Sequence, residues 1–340
     1  MANPLGRVSS KEDADLPYVQ VHSDPDVFCI RVPLPGNALK TVNSYVVRDG
    51  NDILVIDTGF NAPESYDALV GGFAELGFKA SDANLFITHS HPDHYSLAEK
   101  LGCAGVFLHA DTYDEIKHVI DGTCDWVQAD TTIEMGFNPE EVETIARTSP
   151  LGAQACRTLF EATTLDEDDM LQVGRFSFKP IYTPGHCPGH LCLYLPEREL
   201  LFTGDHILFD ISPNISHWAW SVDTLAEYER SLAKMRDLPV SLALPGHRKP
   251  RNEIALRVDE LLRHHESRLE ECLGAIGLVE GQTACDIAQH ISWAHSSSFL
   301  DMGLTQRLFA ASETRAHVEH LVALGLVKRE RIDGIIRYSA

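Results

Sequence analysis

A chain of 340 residues with 44% hydrophobic and 23% charged residues has the balance of a globular protein and the length of about two domains. Its formal net charge of −22 sets up a field that repels phosphate backbones and anionic lipid, which disfavours nucleic-acid and membrane-surface partners. No apolar run reaches the length of a membrane span, and the first thirty residues carry prolines and acids where an export signal needs an unbroken apolar core, so a cytoplasmic protein is expected.

In chain order, the short apolar runs 27–32, 42–47 and 53–56 are separated by Pro-Gly-Asn and Asp-Gly-Asn turn signals and predict consecutive strands. The third ends on Asp57, which can either stabilise a turn or orient a metal-binding histidine from behind. Residues 63–77, with Pro63 at the start, Gly77 at the end and Tyr66, Leu69, Val70, Phe73 and Leu76 on one face, predict an amphipathic helix. The run 85–87 predicts a buried strand that opens into Thr88-His89-Ser90-His91-Pro92-Asp93-His94, and a helix through Leu97 and Leu101 and a strand at 104–109 follow. Three imidazoles and a carboxylate within six positions of one loop are the donors that zinc and similar divalent ions take.

Residues 110–169 change to helix-like segments, about 110–121, 138–148 and 150–163. They form an insertion that is a candidate lid or pocket wall, with Trp126, Met135, Phe137 and Phe160 expected mainly to pack it. Strands resume at 176–183, 191–195 and 199–203. A helix at 223–236 opens on a capping pattern from Thr224 to Glu227, a strand at 241–244 ends in Pro245-Gly246-His247, and a long helix covers 252–275, its His264-His265 pair read as solvent-exposed or packing rather than ligating. The first unit is thus residues 1–276. Residues 277–340 read as a second unit of three helices (283–291, 305–311, 312–324) and a hairpin turning at Asp333-Gly334, an arrangement that resembles a winged helix. Six basic residues against seven acids over 279–340 give it no basic footprint for DNA.

Ligand-type residues recur at strand ends: His186 in Tyr-Thr-Pro-Gly-His, Asp205 after Gly204, and His247 after Gly246, with glycine beside each to let the backbone turn into a common crevice. The eight cysteines (29, 103, 124, 156, 187, 192, 272, 285) form no Cys-x-x-Cys pair and are expected mostly as buried reduced thiols; Cys187, beside His186, is the exception to watch and is not read as a ligand. His190 and His206 sit next to the ligand-type residues and are expected to support them or to pack.

The motif His89-x-His91-x-Asp93-His94, followed in order by His186, Asp205 and His247, resembles the metallo-β-lactamase superfamily over roughly residues 25–270. That resemblance implies an α/β fold, a four-layer αββα sandwich, with the site at one edge of two sheets. It implies one ion on His89, His91 and His186, a second on Asp93, His94 and His247, Asp205 bridging both, and a bridging hydroxide as nucleophile. Asp93 is also the candidate catalytic carboxylate, and Asp57 and His190 stand behind the ligands. Zinc is the first choice of metal, with iron or manganese accepted by the same donors. His91 stands where flavodiiron proteins carry a carboxylate. Asp205 matches the bridging residue of glyoxalase II-type hydrolases, which true β-lactamases lack. With the C-terminal unit, the layout looks like the branch related to mammalian lactamase-β-like proteins. The same motif also occurs, by that resemblance, in a mononuclear iron dioxygenase.

The expected activity is hydrolysis of a small thioester or ester such as an acyl-CoA, with Asn214, Trp218 and Trp220 as candidate pocket residues. A ribonuclease or phosphodiesterase, a lactonase, and a non-enzymatic winged-helix regulator with a sensory metal site are the alternatives. The oligomeric state is open, a homodimer being one option.

Overall fold

The structure, a computed structural model, describes residues 17–122, 129–148, 154–217, 221, 223–293, 296 and 298–340. Trp126, Cys124, Trp218 and Trp220 therefore lie outside the described residues.

One sheet holds seven strands in sequence order: β1 Tyr18–Ser23, β2 Asp26–Pro33, β3 Thr41–Asp49, β4 Asp52–Ile56, β5 Asn84–Phe86, β6 Gly105–Leu108 and β7 Thr163–Thr164. The first four form an antiparallel meander, and β4 to β7 run parallel with helices between them. The second sheet has the order β12-β11-β10-β9-β8, from β8 Leu171–Val173, β9 Phe176–Tyr182, β10 Leu191–Leu195, β11 Leu200–Gly204 and β12 Leu242–Pro245.

Successive strand residues point to opposite faces, and here both faces are covered. On β10, Leu191, Leu193 and Leu195 enter the core between the sheets, where they meet Tyr45, Val47, Leu54, Ile56 and Phe86 from the other sheet. Their neighbours Cys192 and Tyr194 face outward, under the helices Thr224–Arg236 and Ile254–Ile276. On the first sheet, Val46, Val55 and Leu85 face outward under the helix Pro63–Glu75, through Leu69 and Phe73. Helix, sheet, sheet and helix are thus held by three apolar layers, which is the expected αββα sandwich. Among the described residues no helix is long and apolar enough to cross a membrane.

A fourth apolar cluster joins parts that the sequence kept apart. Met135 and Phe137, from the turn after the helix Ala129–Glu134, and Val142 and Ile145, from the helix Pro139–Thr148, pack with Cys272, Ala275 and Ile276 and with Ile287, Phe299, Val318 and Tyr338. The division expected at 276/277 therefore runs through one shared core. The middle of the insertion packs on the C-terminal unit, reinforced by Arg315 on Glu134 at 2.9 Å and Arg307 on Glu141 at 3.2 Å.

Local readings need correction in several places. The two helices expected at 305–311 and 312–324 are one helix, Leu304–Ala323, because nothing in Ala-Ala-Ser-Glu breaks the hydrogen-bond ladder. The helix expected at 283–291 shortens to Ala284–Ala288, opened by a reciprocal Thr283–Asp286 cap. The C-terminal unit thus has two α-helices rather than three among the described residues, with a short 3-10 turn, Phe299–Asp301, between them. Residues 154–162 carry no helix and lead into β7. Helix 224–236 is capped by Asp223, whose side chain accepts from Ala226 N at 3.0 Å, rather than by Thr224. The Asp333-Gly334 turn forms as expected, both residues at positive φ (51° and 82°) between the antiparallel strands β13 Lys328–Ile332 and β14 Ile335–Ser339.

Candidate metal centre

The end of β5 delivers the histidine loop to the edge where the two sheets meet, and Pro92–Tyr95 makes a single helical turn. His89, Asp93 and His94 from this loop come together with His186 from the β9–β10 connection, Asp205 just past β11 and His247 just past β12. All six are at most 6% exposed, and His91 beside them is half-buried. The glycines act in two ways. Gly185 and Gly204 adopt positive φ (135° and 47°). At Gly246 the need is space, since a Cβ there would lie 2.5 Å from Asp205 Oδ1 and 2.8 Å from His94 Cε1.

Each ring is held from behind. His89 Nδ1 is 2.9 Å from Thr88 Oγ1, which itself donates to Asp57 Oδ2 at 2.8 Å, so the imidazole N–H donates to the hydroxyl. His94 Nδ1 lies 2.8 Å from Asp57 Oδ2, and Asp57 Oδ1 also accepts from Thr88 N at 2.8 Å. His186 Nδ1 donates to the Asn214 carbonyl at 2.8 Å, and His247 Nδ1 to the Thr41 carbonyl at 2.9 Å. Anchoring Nδ1 turns Nε2 of these four rings inward. Asp57 itself sits at φ 59°, a conformation that Asp tolerates through its short polar side chain.

Inside, the donor atoms converge in two groups. His91 Nδ1 is 3.0 Å from His89 Nε2 and 2.9 Å from His186 Nε2. His247 Nε2 is 3.3 Å from Asp93 Oδ2 and 3.4 Å from Asp205 Oδ2, while His94 Nε2 is 3.8 Å from Asp93 Oδ2 and 3.7 Å from Asp205 Oδ1. Asp205 Oδ2 is also 3.8 Å from His186 Nε2, so one carboxylate faces both groups. His94 Nε2, His247 Nε2 and Asp205 Oδ1 are buried without a hydrogen-bond partner. Leaving such a group unpaired costs about 1–3 kcal/mol, more when charged. Three of them aimed at one space, beside three convergent imidazole nitrogens, fit divalent cations.

The electrostatics agree with that. Burial pushes His89 well below the ordinary imidazole value and His91 to about 3, so both rings are neutral donors near neutral pH. Burial opposes charge on Asp93 and Asp205, but the histidines around them prevail, holding Asp93 at about 2 and Asp205 lower still. Burial would likewise lower His94 and His247. The surrounding carboxylates of Asp57, Asp93 and Asp205 raise His94 to about 9, and Asp205 and Asp93 raise His247 well above its usual value. Without a cation, protons occupy the places that a cation would take.

The neighbouring residues separate into distinct parts. His190 accepts from Asp205 N at 3.2 Å while its Nδ1 donates to Thr183 Oγ1 at 2.8 Å, so it holds the backbone of Asp205. His206 packs on Tyr228. Cys187 Sγ lies 3.5 Å from His91 Nε2 and within reach of the donor atoms of His89 and His186, and burial raises its thiol well above the usual value. Left out of the expected set, it stands beside those donors as a further sulfur ligand within reach. His264 and His265 are remote from the centre, His265 stacking on His317. Asn214 contributes its carbonyl to His186, while its side chain is engaged with Phe309 O and Glu313.

Sequence reasoning missed Thr41, Thr88, Thr183, Glu115 and Glu313. Thr88, adjoining His89, was the one within reach. Glu115, on the first helix of the insertion (Ala110–Ile120), accepts from Ser90 Oγ between His89 and His91, and burial raises its carboxyl to about 7. With Asp111, Tyr182, Pro188, Ser221 and Glu227 it lines a cleft of about 280 Å³ beside the histidine loop. The insertion thus reaches the site through its first helix.

A buried cluster of imidazole and carboxylate donors at the edge of an αββα sandwich defines a class of metal-dependent hydrolases. The chain belongs to the metallo-β-lactamase superfamily, which it matches over residues 38–106 and 133–247. It is similar to the lactamase-like protein adaB of Aspergillus niger, 26% identical over 272 residues that span 78% of this chain and 69% of that one. It is also similar to an atrochrysone carboxyl ACP thioesterase of Aspergillus fumigatus, 25% identical over 263 residues, 77% of this chain and 68% of that one. Among solved structures, a metallo-β-lactamase family protein of Thermus thermophilus superposes with a TM-score of 0.78 at 30% identity, covering 92% of this chain and 98% of that one.

Proposed function

We propose that the protein is a dinuclear metal-dependent hydrolase of small thioesters or esters. The observation that carries this reading is the set of inward-facing, unpartnered atoms on His94, His247 and Asp205 beside the three imidazoles of His89, His91 and His186. On this reading His89, His91 and His186 hold one ion, Asp93, His94 and His247 the other, and Asp205 serves both. Zinc suits these donors, and iron or manganese can be held by the same set. Two such ions supply Lewis acidity to the scissile carbonyl and a water acidic enough to attack near neutral pH. Asp57 and Thr88 keep the rings of His94 and His89 aimed inward, and His190 keeps Asp205 in place. Asp93 and Asp205, both ionised across the physiological range, set the net charge of the centre.

The thioester preference is supported by the similarity to a protein named as an acyl-carrier thioesterase and by the position of Asp205 between the two donor groups. The carboxylates of Asp111, Glu115 and Glu227 in the adjoining cleft favour an uncharged acyl group there over a phosphate. Against nucleic acid stand the charge of −22 and the burial of the helix that precedes the C-terminal hairpin. Six consecutive residues of it, Thr314 to Glu319, are buried; at 100° per residue they occupy the whole circumference of its middle turns, which are thereby closed to a DNA groove.

The test assays purified protein of known metal content on a panel of acyl-CoA and truncated thioesters, lactones and single-stranded RNA, with His89→Ala and Asp205→Ala as controls. Turnover of thioesters, including those without phosphates, above the controls is expected. Turnover confined to RNA, or none above the controls, overturns the reading.

A further inference from the structure

The anchor of His186 differs from the anchors of the other rings. Thr41 lies in β3, Asp57 directly follows β4 and Thr88 lies two residues past the end of β5, so the sheet holds them. Asn214 belongs to a stretch, 205–217, that contains no helix or strand. A carbonyl in such a stretch has no ladder to fix its plane. Buried Pro213 and Ile215 seat the chain on either side of it. The remaining support is polar: Asn214 Nδ2 donates to Glu313 Oε2 at 3.1 Å and to Phe309 O at 3.3 Å, and Asn214 Oδ1 accepts from Ser216 Oγ at 2.8 Å.

Glu313 and Phe309 lie on the helix Leu304–Ala323, which is itself held on the body of the protein. His317 Nδ1 donates to the Glu313 carbonyl at 2.8 Å, which leaves His317 Nε2 to accept from His265 Nδ1 at 3.0 Å. His320 Nδ1 meets Asp223 Oδ2 at 2.8 Å, and Ala316 enters the core under the second sheet. Arg268 Nε stands 3.9 Å from Glu313 Oε1. An unbroken series of contacts therefore runs from the centre of this helix to Asn214 and on to His186.

We propose that Glu313 is a positioning residue for the metal centre: by holding the Asn214 amide it fixes the backbone carbonyl that orients the His186 ring, so the C-terminal helix sets the geometry of one donor of the centre. The inference rests on the reading of His186 as a metal ligand. The carbonyl selects the tautomer with a proton on Nδ1 and keeps the Nε2 lone pair at 2.9 Å from His91 Nδ1. A peptide plane released from Glu313 can tilt, and the ring tilts with it.

The test measures zinc affinity of the full-length protein by competition with a chromogenic chelator, the absorption spectrum of the cobalt-loaded protein, the melting temperature, and kcat and KM separately. Glu313→Ala is expected to weaken one zinc site about 10- to 100-fold, shift the cobalt bands and lower kcat with little change in KM. Glu313→Gln keeps an acceptor oxygen for the Asn214 amide and is expected to restore affinity and spectrum. Asn214→Ala, outside the helix, is expected to reproduce the loss, and the double variant to lose no more than either single one. Wild-type affinity and spectrum in Asn214→Ala and Glu313→Ala overturn the proposal, as does an equal loss in Glu313→Gln and Glu313→Ala. If Glu313→Ala does not fold, Asn214→Ala decides alone. Wild-type protein that binds no zinc overturns the metal reading and this inference with it, an outcome distinct from two occupied sites that ignore Glu313.

Discussion

Asp57→Asn isolates what one buried carboxylate does for the centre. Asparagine is nearly the same size and tolerates the φ of 59° at this position, so the backbone is spared. The native carboxylate receives Thr88 N, Thr88 Oγ1 and His94 Nδ1, each at 2.8 Å. An amide offers one acceptor oxygen and turns its NH2 toward one of those donors, so at least one of the three contacts is lost. Hydrogen bonds to a charged group are worth about 1.5–3 kcal/mol each. The expected loss at the ion bound by Asp93, His94 and His247 is therefore about 10- to 100-fold in affinity, the range for partners that orient a ligand from behind. The ion on His89, His91 and His186 is expected to weaken less, because Thr88 still faces His89. Zinc titration against two chelators of different strength separates the two sites. Unchanged affinity at both, in a variant that melts like the wild type, would refute the argument that Asp57 acts through His94.

Removing metal with a strong chelator should abolish activity and lower the melting temperature. Restoring free zinc to 100 times its dissociation constant should return about 2.7 kcal/mol per site in urea unfolding, and equal stability with and without metal would refute the proposed sites. Gly246→Ala should cost zinc affinity and activity, since its Cβ meets Asp205 and His94. Gly71→Ala, in the helix Pro63–Glu75 with nothing within 4 Å, should raise stability by about 0.5–1 kcal/mol and leave zinc affinity unchanged. Burial holds His317 at about 3 against an ordinary 6.5, so between those values the unfolded chain binds more protons than the folded one. Stability is then lost as pH falls below 6.5. In metal-free protein, His317→Gln should reduce the slope of unfolding free energy between pH 4.5 and 6 by about 1.4 kcal/mol per pH unit, and an unaltered slope would count against a buried neutral ring.

Much of the site was legible because its chemistry is local. His89, His91, Asp93 and His94 fall within six residues of one loop, and the glycines beside His186, Asp205 and His247 marked strand ends whatever packed around them. Period-two and period-3.6 patterns likewise placed β2 to β4, β9 to β12 and the helices that cover them. The failures also have physical causes. β1, β7 and β8 are short or edge strands with weak patterns, whose pairing with a neighbour gives them their identity. The break expected at Ser312 within Leu304–Ala323 does not occur, because the buried turns that follow, Thr314 to Glu319, hold the helix through it.

The sequence by itself determined the donors, their order and the layered class of fold, because residue type and short spacing carry that information. Tertiary structure alone decided which partner holds each ring, since Thr41, Asn214 and Glu115 carry no mark of that task and lie 206, 28 and 25 residues from His247, His186 and Ser90. It also decided that the C-terminal helix packs on the rest of the fold, with Ala316 in the apolar cluster under the second sheet. Thr314 to Glu319 show no single apolar stripe, and only the neighbours packed around those turns reveal how they are used.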